Sequence, residues 1–437
     1  MDKQSHAHRA LKNSFFSLLG FGWPIIVAIL LTPIIVLGLG VKEYGIYVFI
    51  STLISLAGLL DVGASAAFSK FITDRHSRSD HSSLASLFRN ANTILLIIGI
   101  VGFLGIVLTY YIGAAIWPES LANYAHYVPS FFFAGIMFFI SSMMALYVLI
   151  PNALQRMDVS AKIGIAFFTL QQAVILAGVL LHLGINKIFL GLVILYVIFF
   201  FLQKANSTRL IPEDARASLM EFAMDKKEIF TIYAYGLGIF TNNIAGVLLS
   251  YLDKLIIPVF LGPSNLSYYS LAGSISNKTP GLSQTFASVI FPMAANFEGV
   301  GDRDRVRRLY VRSTRLILVV STAITITLVS FPYLTLQHWI SVELADKATN
   351  IFVILAITNF LLALIGPLSN FLMGLGKVRQ LTYSSISAAA INVVLLLILL
   401  PRSGIVGAAW AYLFCLVPYM GLLYWTEFKL LELPSRV

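Results

Sequence analysis

One cysteine, Cys415, serves 437 residues, and it lies within a long apolar stretch. A lone thiol closes no disulfide within the chain and supplies no cysteine cluster for a metal, which argues against redox chemistry. Charge is scarce as well: only 11% of residues are Asp, Glu, Lys or Arg, and acidic residues (20) are fewer than basic ones (30). No GxxxxGK[ST] loop appears, so this chain does not hydrolyse ATP. The period-2 alternation of apolar and polar residues that a membrane barrel demands is also missing, which leaves helices as the only way for this backbone to cross lipid.

Apolar residues fill the remainder. They make up 58% of the chain, and the mean hydropathy is +0.85, far above that of an ordinary soluble domain. Stretches long enough at ~1.5 Å per residue to cross a ~30 Å hydrocarbon core recur along the whole sequence. They predict an all-α integral membrane protein with twelve spans, near 15–38, 44–68, 90–112, 126–150, 161–182, 185–202, 231–260, 266–292, 314–334, 348–374, 381–400 and 404–425. The polar start MDKQSHAHRALKNS runs directly into an apolar stretch too long for a signal-peptide core, so the first span is expected to stay in the mature protein.

Assigning the thirty Lys and Arg residues to alternate sides places twenty-four with the two termini and four opposite, Lys42, Lys187, Lys347 and Arg402. Two remain in the membrane. The positive-inside rule then puts both termini in the cytoplasm, and the formal net charge of +10 reads as topology rather than affinity for nucleic acid. The basic run DRDRVRRLYVRSTR, 302–315, falls in a cytoplasmic loop where it would touch anionic lipid or gather substrate. External loops are short, the longest near 113–125 and 335–347, and carry no cluster of His, Asp, Glu or Arg. An enzyme acting on the outer face would need such a cluster.

The chain also repeats itself weakly. At a shift of 222 residues LGLGVKEYGIYVFI (37–50) overlies VFLGPSNLSYYSLA (259–272), and at 220 LGINKIFLGLVILY (183–196) overlies SGIVGAAWAYLFCL (403–416). Each half reads as a six-helix lobe, 1–205 and 231–437, joined by a cytoplasmic linker at 206–230 whose mixed charges suggest a surface helix. Because six is even, the repeats are parallel, an arrangement in which the substrate site is expected between the halves.

The opening LKNSFFSLLGFGWPIIVAILLTPIIVLGLGVKEYGIYVFI, then DVGASAAFSKFI (61–72), YLDKLIIPVFLGPSNLSYYSLAGSI (251–275), VIFPMAANF (289–297) and LMGLGKVRQLTYSSI with GIVGAAWAYLF (372–414) together resemble the Wzx-type polysaccharide flippases of the MOP exporter superfamily. The resemblance runs in order over nearly the whole chain. It implies a two-lobed, twelve-helix, MATE-like protein of the bacterial inner membrane. Such a protein flips an undecaprenyl-pyrophosphate-linked oligosaccharide to the periplasmic leaflet for O-antigen or exopolysaccharide assembly. It uses no cofactor or metal. Its partners are the lipid-linked substrate, membrane lipids and other polysaccharide-assembly proteins, with H+ or Na+ as candidate coupling ions. A cation-coupled multidrug exporter of the same superfamily is the alternative, with a membrane glycan polymerase or transferase behind it.

A phosphate-bearing headgroup needs solvation that lipid does not offer, so cations and hydroxyls inside the membrane are the candidate site. Lys254 and Lys278 are the candidate cavity cations, with Asp253 either tuning them, carrying a coupling proton or bridging to Lys278 as a purely structural pair. Ser267, Ser270, Ser274, Asn277, Gly281, Thr285 and Ser288 recur every three or four residues along the eighth span, and Asn242, Gly246, Ser250 and Asp253 do so along the seventh. Such stripes are either packing seams or a wet face. Pro258 and Pro280 are expected to loosen the turns beside the two lysines. Weaker candidates are Asp61 as a gate or coupling carboxylate or a mere loop partner, Arg156 as a basic position like those of the family or a topology anchor, and Gln171, Gln172, Asn359 and Asn370 as residues that line the cavity or bond across helices.

Overall fold

In lipid a backbone polar group finds no partner but its own helix, so apolar runs of this length can only coil. The computed structural model describes residues 22–116, 122–287 and 290–431, and within them every regular element is helical. Two compact units divide the chain at Phe240/Thr241, inside one continuous helix.

The first unit contains α1 (Gly22–Leu39), α2 (Val41–Ala57), α3 (Ala64–Ser77), α4 (His81–Ile116), α5 (Val128–Ala153), α6 (Met157–Leu180) and α7 (Gly184–Thr208). Its core sits where α4 meets α5 and α5 meets α7, with Leu95, Phe131, Ile150, Ile188 and Phe189 buried. Phe138 of α5 seats over Gly102 of α4, and Phe103 of α4 over Gly135 of α5, so each ring fills the space its opposite number vacates.

The joining segment after α7 is not the single surface helix its charges suggest. It forms a one-turn helix, Glu213–Arg216, a 3-10 turn, Ala217–Met220, and an extended stretch to Asp225 that lies along α4. Polar side chains of α4 capture its backbone: Asn92 Nδ2 donates to Glu221 O at 3.0 Å, Thr93 Oγ1 to Ala223 O at 2.7 Å, and Asn90 Oδ1 accepts from Asp225 N at 2.8 Å. His81 Nδ1 and Asp214 Oδ2 close to 2.6 Å, and this hydrogen bond holds the Asp214 carboxyl below the usual carboxylate range.

The second unit begins within α8 (Lys226–Leu261) and continues through α9 (Pro263–Ser276), α10 (Lys278–Ala287), α11 (Ile290–Gly299), α12 (Arg303–Ser330), α13 (Pro332–Trp339), α14 (Val342–Gly374), α15 (Val378–Phe414) and α16 (Val417–Trp425). Side chains cap the starts of α8, α12 and α14, with Asp225 accepting from Lys227 N, Asp302 from Arg305 N and Ser341 from Leu344 N. Its main core gathers Tyr310, Phe371, Leu372, Ala388, Leu416 and Tyr419 around the long α14, 33 residues with over half of its most apolar window buried.

Nine stretches among the described residues are long and apolar enough to cross a membrane. One of them, Val378–Leu430, has 53 residues and divides at Gly404, so it makes two passes. The helix α8 and the broken run α9 to α11 stand where the sequence reading placed the seventh and eighth spans. The breaks differ from that reading. The second span, expected through residue 68, ends at a 3-10 turn, Gly58–Asp61, and restarts as α3. The eighth span breaks at Asn277, one turn before Pro280, as the proline predicts, whereas α8 runs unbroken through Pro258. Gly404 has φ 58° and ψ −147°, a region only glycine enters without strain. Gly404→Ala is expected to cost about 1–3 kcal/mol, seen as a lower midpoint in detergent thermal unfolding.

Candidate functional site

A cavity of about 390 Å³ lies within the second unit, walled by α8, α9, the α9–α10 junction, α14 and α15. Its lining follows from helical spacing. On α8, Ser250, Tyr251 and Lys254 fall within one turn and Asp253 beside them; on α9, Tyr269 and Ser270 are followed one turn later by Gly273 and Ser274. Asn277 and Lys278 close the row where the helix breaks. Leu355 and Asn359 of α14 and Tyr412 of α15 complete the wall.

The Asp253 side chain is 4% exposed, and its Oδ1 accepts the backbone N–H of Lys254 at 2.8 Å. The bridge to Lys278 weighed from the sequence is not formed: among the described residues neither lysine makes an ion pair, because the carboxylate is turned onto its own helix backbone while both lysines line the cavity. Lys254 Nζ lies 5.3 Å from the centroid of the Tyr251 ring, within cation–π range. Ser250 and Ser274 donate to carbonyls of their own helices, Gly246 and Leu271 at 2.8 Å each, and keep lone pairs free to accept.

Among the described residues, three lining atoms are buried with no hydrogen-bond partner: the Tyr269 hydroxyl, the Ser270 hydroxyl and Asn359 Oδ1. Tyr269 stands beside the Asp253 carboxylate but does not reach hydrogen-bond geometry with it. Asn359 spends its other end on Ser276 Oγ at 3.1 Å and Leu355 O at 2.9 Å. An orphaned buried polar atom costs on the order of 1–3 kcal/mol, and native structures carry few of them. Three of them lie along this one wall. Tyr269→Phe, which removes one orphan, is expected to leave the apparent melting temperature unchanged or slightly raised, a readout available from intrinsic fluorescence.

The cavity thus gathers Ser250, Asp253, Lys254, Ser270, Ser274, Asn277, Lys278 and Asn359 from the predicted set. The side chains of Asn242 and Thr285, and all of Ser288, lie outside the described residues. Ser267 is buried toward the start of α9 and Asn370 donates to Gly366 O within α14 at 3.0 Å; neither lines the cavity. Asp61, Arg156, Gln171 and Gln172 belong to the first unit. Asp61 caps the start of α3, its Oδ1 taking the Ser65 hydroxyl at 2.9 Å and both oxygens the Ser65 N–H at 3.1 Å. Arg156 precedes α6 and pairs with Asp158 at 3.3 Å, half exposed. Sequence reasoning missed the three tyrosines of the wall, Tyr251, Tyr269 and Tyr412, because an aromatic in a membrane helix reads equally well as a headgroup anchor.

The polysaccharide biosynthesis protein family matches residues 10–298 of this sequence, about two-thirds of its length and including most of the cavity wall. The chain belongs to the polysaccharide biosynthesis protein family. The MatE family also matches, over residues 239–398. A relative from Shigella flexneri, named "Putative O-antigen transporter", is 23% identical over 418 residues, covering 91% of this chain and 93% of its own. Among solved structures, the lipid II flippase MurJ in an inward closed conformation superposes with a TM-score of 0.70 at 14% identity, covering 97% of this chain and 88% of MurJ. An inward-facing multidrug resistance MATE transporter of the MOP superfamily gives 0.65 at 12%, with 96% of each chain covered. At these identities the two structures establish the fold of this polysaccharide biosynthesis protein, which is that of the MOP superfamily.

Proposed function

We propose that this protein is a transporter that flips an undecaprenyl-pyrophosphate-linked oligosaccharide from the cytoplasmic to the periplasmic leaflet of a bacterial inner membrane, for O-antigen or related surface polysaccharide, and carries out no covalent chemistry. The observation that carries the reading is the cavity wall itself, where among the described residues Lys254 and Lys278 make no ion pair and three buried polar atoms have no hydrogen-bond partner. Two ammonium groups against one carboxylate suit an anionic guest, and the serines, Asn277, Asn359 and tyrosines suit one rich in hydroxyls. The Shigella relative's name points the same way. In this reading residues 1–205 and 231–437 form the two lobes, both termini are cytoplasmic, alternating access moves the headgroup, and an H+ or Na+ gradient or consumption of the product supplies the drive.

The test is reconstitution. Purified protein in liposomes is expected to expose a fluorescent pyrophosphate-linked oligosaccharide of the inner leaflet to a membrane-impermeant quencher, raising the quenched fraction well above one half. A quenched fraction equal to that of protein-free liposomes would overturn the reading. A second reading, export of a cationic drug, is favoured only by the buried Asp253 carboxylate in the cavity. It requires uptake of a cationic dye that loss of Asp253 abolishes and loss of the lysines does not.

A further inference from the structure

A second recess, of about 350 Å³ and open to the surroundings, lies in the first unit at the polar end of α7. Phe201, Lys204, Ala205 and Thr208 occupy successive turns of one face of that helix, and Arg209 and Arg216 complete the rim from the joining segment. Three cations therefore converge on one hollow. Arg216 is held in place by its Nε donating to Ile211 O at 2.9 Å, and its Nη1 lies 3.1 Å from Glu213 Oε1, a carboxylate that is 88% exposed. Lys204 and Arg209 make no ion pair among the described residues. Nothing in the transport reading uses any of them.

The recess continues into an apolar stripe. Going back along α7 from Phe201, which is 60% exposed, Ile198 and Ile194 lie on the same face at 55% each, with Leu190 a turn further on. A free phosphate would use the cations and leave the stripe idle, whereas a ligand with a charged head and a hydrocarbon tail uses both. We propose that this recess is a site for one anionic phospholipid, its phosphate set among Lys204, Arg209 and Arg216 and its acyl chain laid along Phe201, Ile198 and Ile194. Such a lipid joins α7 to the segment 209–216. That segment leads directly into the turn whose Leu219 O accepts from Tyr147 Oη of α5 at 2.9 Å, so occupancy also firms the docking of the joining segment. None of the basic run at 302–315, which belongs to the second unit, lines this recess.

The test uses the full-length protein in a neutral detergent, titrated with phosphatidylglycerol, phosphatidylcholine or inorganic phosphate, while the melting temperature and, by native mass spectrometry, the bound lipid are followed. Phosphatidylglycerol is expected to raise the melting temperature and to appear as a retained adduct, with phosphatidylcholine and phosphate doing neither. In K204Q/R209Q the lipid concentration for half effect should rise roughly twenty-five-fold, at about fivefold per juxtamembrane cation. R209Q alone, at an exposed and unpaired position, should give about fivefold and guards against misfolding of the double variant. R303Q/R308Q, which removes two exposed cations of the other basic run, should change nothing. The proposal is overturned by an unshifted response in R209Q, by protection from inorganic phosphate equal to that from the lipid, or by an equal loss in R303Q/R308Q.

Discussion

Removing the ammonium groups of Lys254 and Lys278 together is expected to slow flipping of a pyrophosphate-linked oligosaccharide by roughly two orders of magnitude while leaving the protein folded. The size follows from the contact being lost. A hydrogen bond to a charged group contributes about 1.5–3 kcal/mol, a factor of roughly ten to just over one hundred in binding for each lysine if it meets the phosphates directly. Water in the cavity screens part of this, so each single Lys→Ala variant should fall near the low end and the pair near their product. The intact fold follows from the absence of ion pairs. Among the described residues neither lysine makes an ion pair, so truncating it breaks no buried bridge, the case in which losing one partner is most costly. Arg in place of Lys254 should restore part of the rate, since it restores the charge. Flipping at the wild-type rate by both single variants would sink the assignment of these residues to the substrate.

The second large effect concerns stability. Gly63→Ala is expected to destabilise the protein by about 2–5 kcal/mol, the sum of a left-handed backbone penalty of ~1–2 and overpacking of ~1–3. Gly63 has φ 78°, and a methyl group there would stand 2.3 Å from the carbonyl oxygen of Gly236 on α8. The obstacle is backbone on both sides, which no rotamer can relieve. Val62 just before it is also left-handed at φ 47°, unusual for a β-branched residue, and Asp61 braces the turn through Ser65. The break thus already carries strain and has no slack left to give. Gly246→Ala, on α8 where nothing lies within 4 Å, is the control and should be neutral or mildly stabilising. Thermal unfolding of the three proteins in one detergent separates these outcomes, and equal midpoints for wild type and Gly63→Ala would refute the close-approach argument.

What could be read beforehand divides along physical lines. Hydropathy senses contact with lipid, so it located the passes, but it is blind to helix that continues into water. That is why the stretch expected at 90–112 is in fact α4, His81–Ile116, whose first two turns carry His81, Ser82, Ser83 and Ser86. Breaks inside apolar runs were harder. Pro280 announced the interruption at Asn277 by removing a donor, whereas the Asp61–Gly63 break has only a short DVG to mark it. Part of the cavity wall was visible as a period, because Ser270, Ser274 and Asn277 repeat along one span. Asn359, named beforehand only as one of several lining candidates, and Tyr412, not named at all, join from helices more than eighty residues away in sequence, and packing of the second unit brings them in.

The lone Cys415 closes a practical gap. It is fully buried, and its Sγ donates to Tyr412 O at 3.1 Å, so a maleimide or methanethiosulfonate reagent in the surrounding water has no thiol to find. The natural chain is therefore its own blank for thiol chemistry. A cysteine placed at Ser250 or Ser274 to report water in the cavity, or at Thr208 to report the recess on α7, becomes the sole reactive label without first altering a residue of the core.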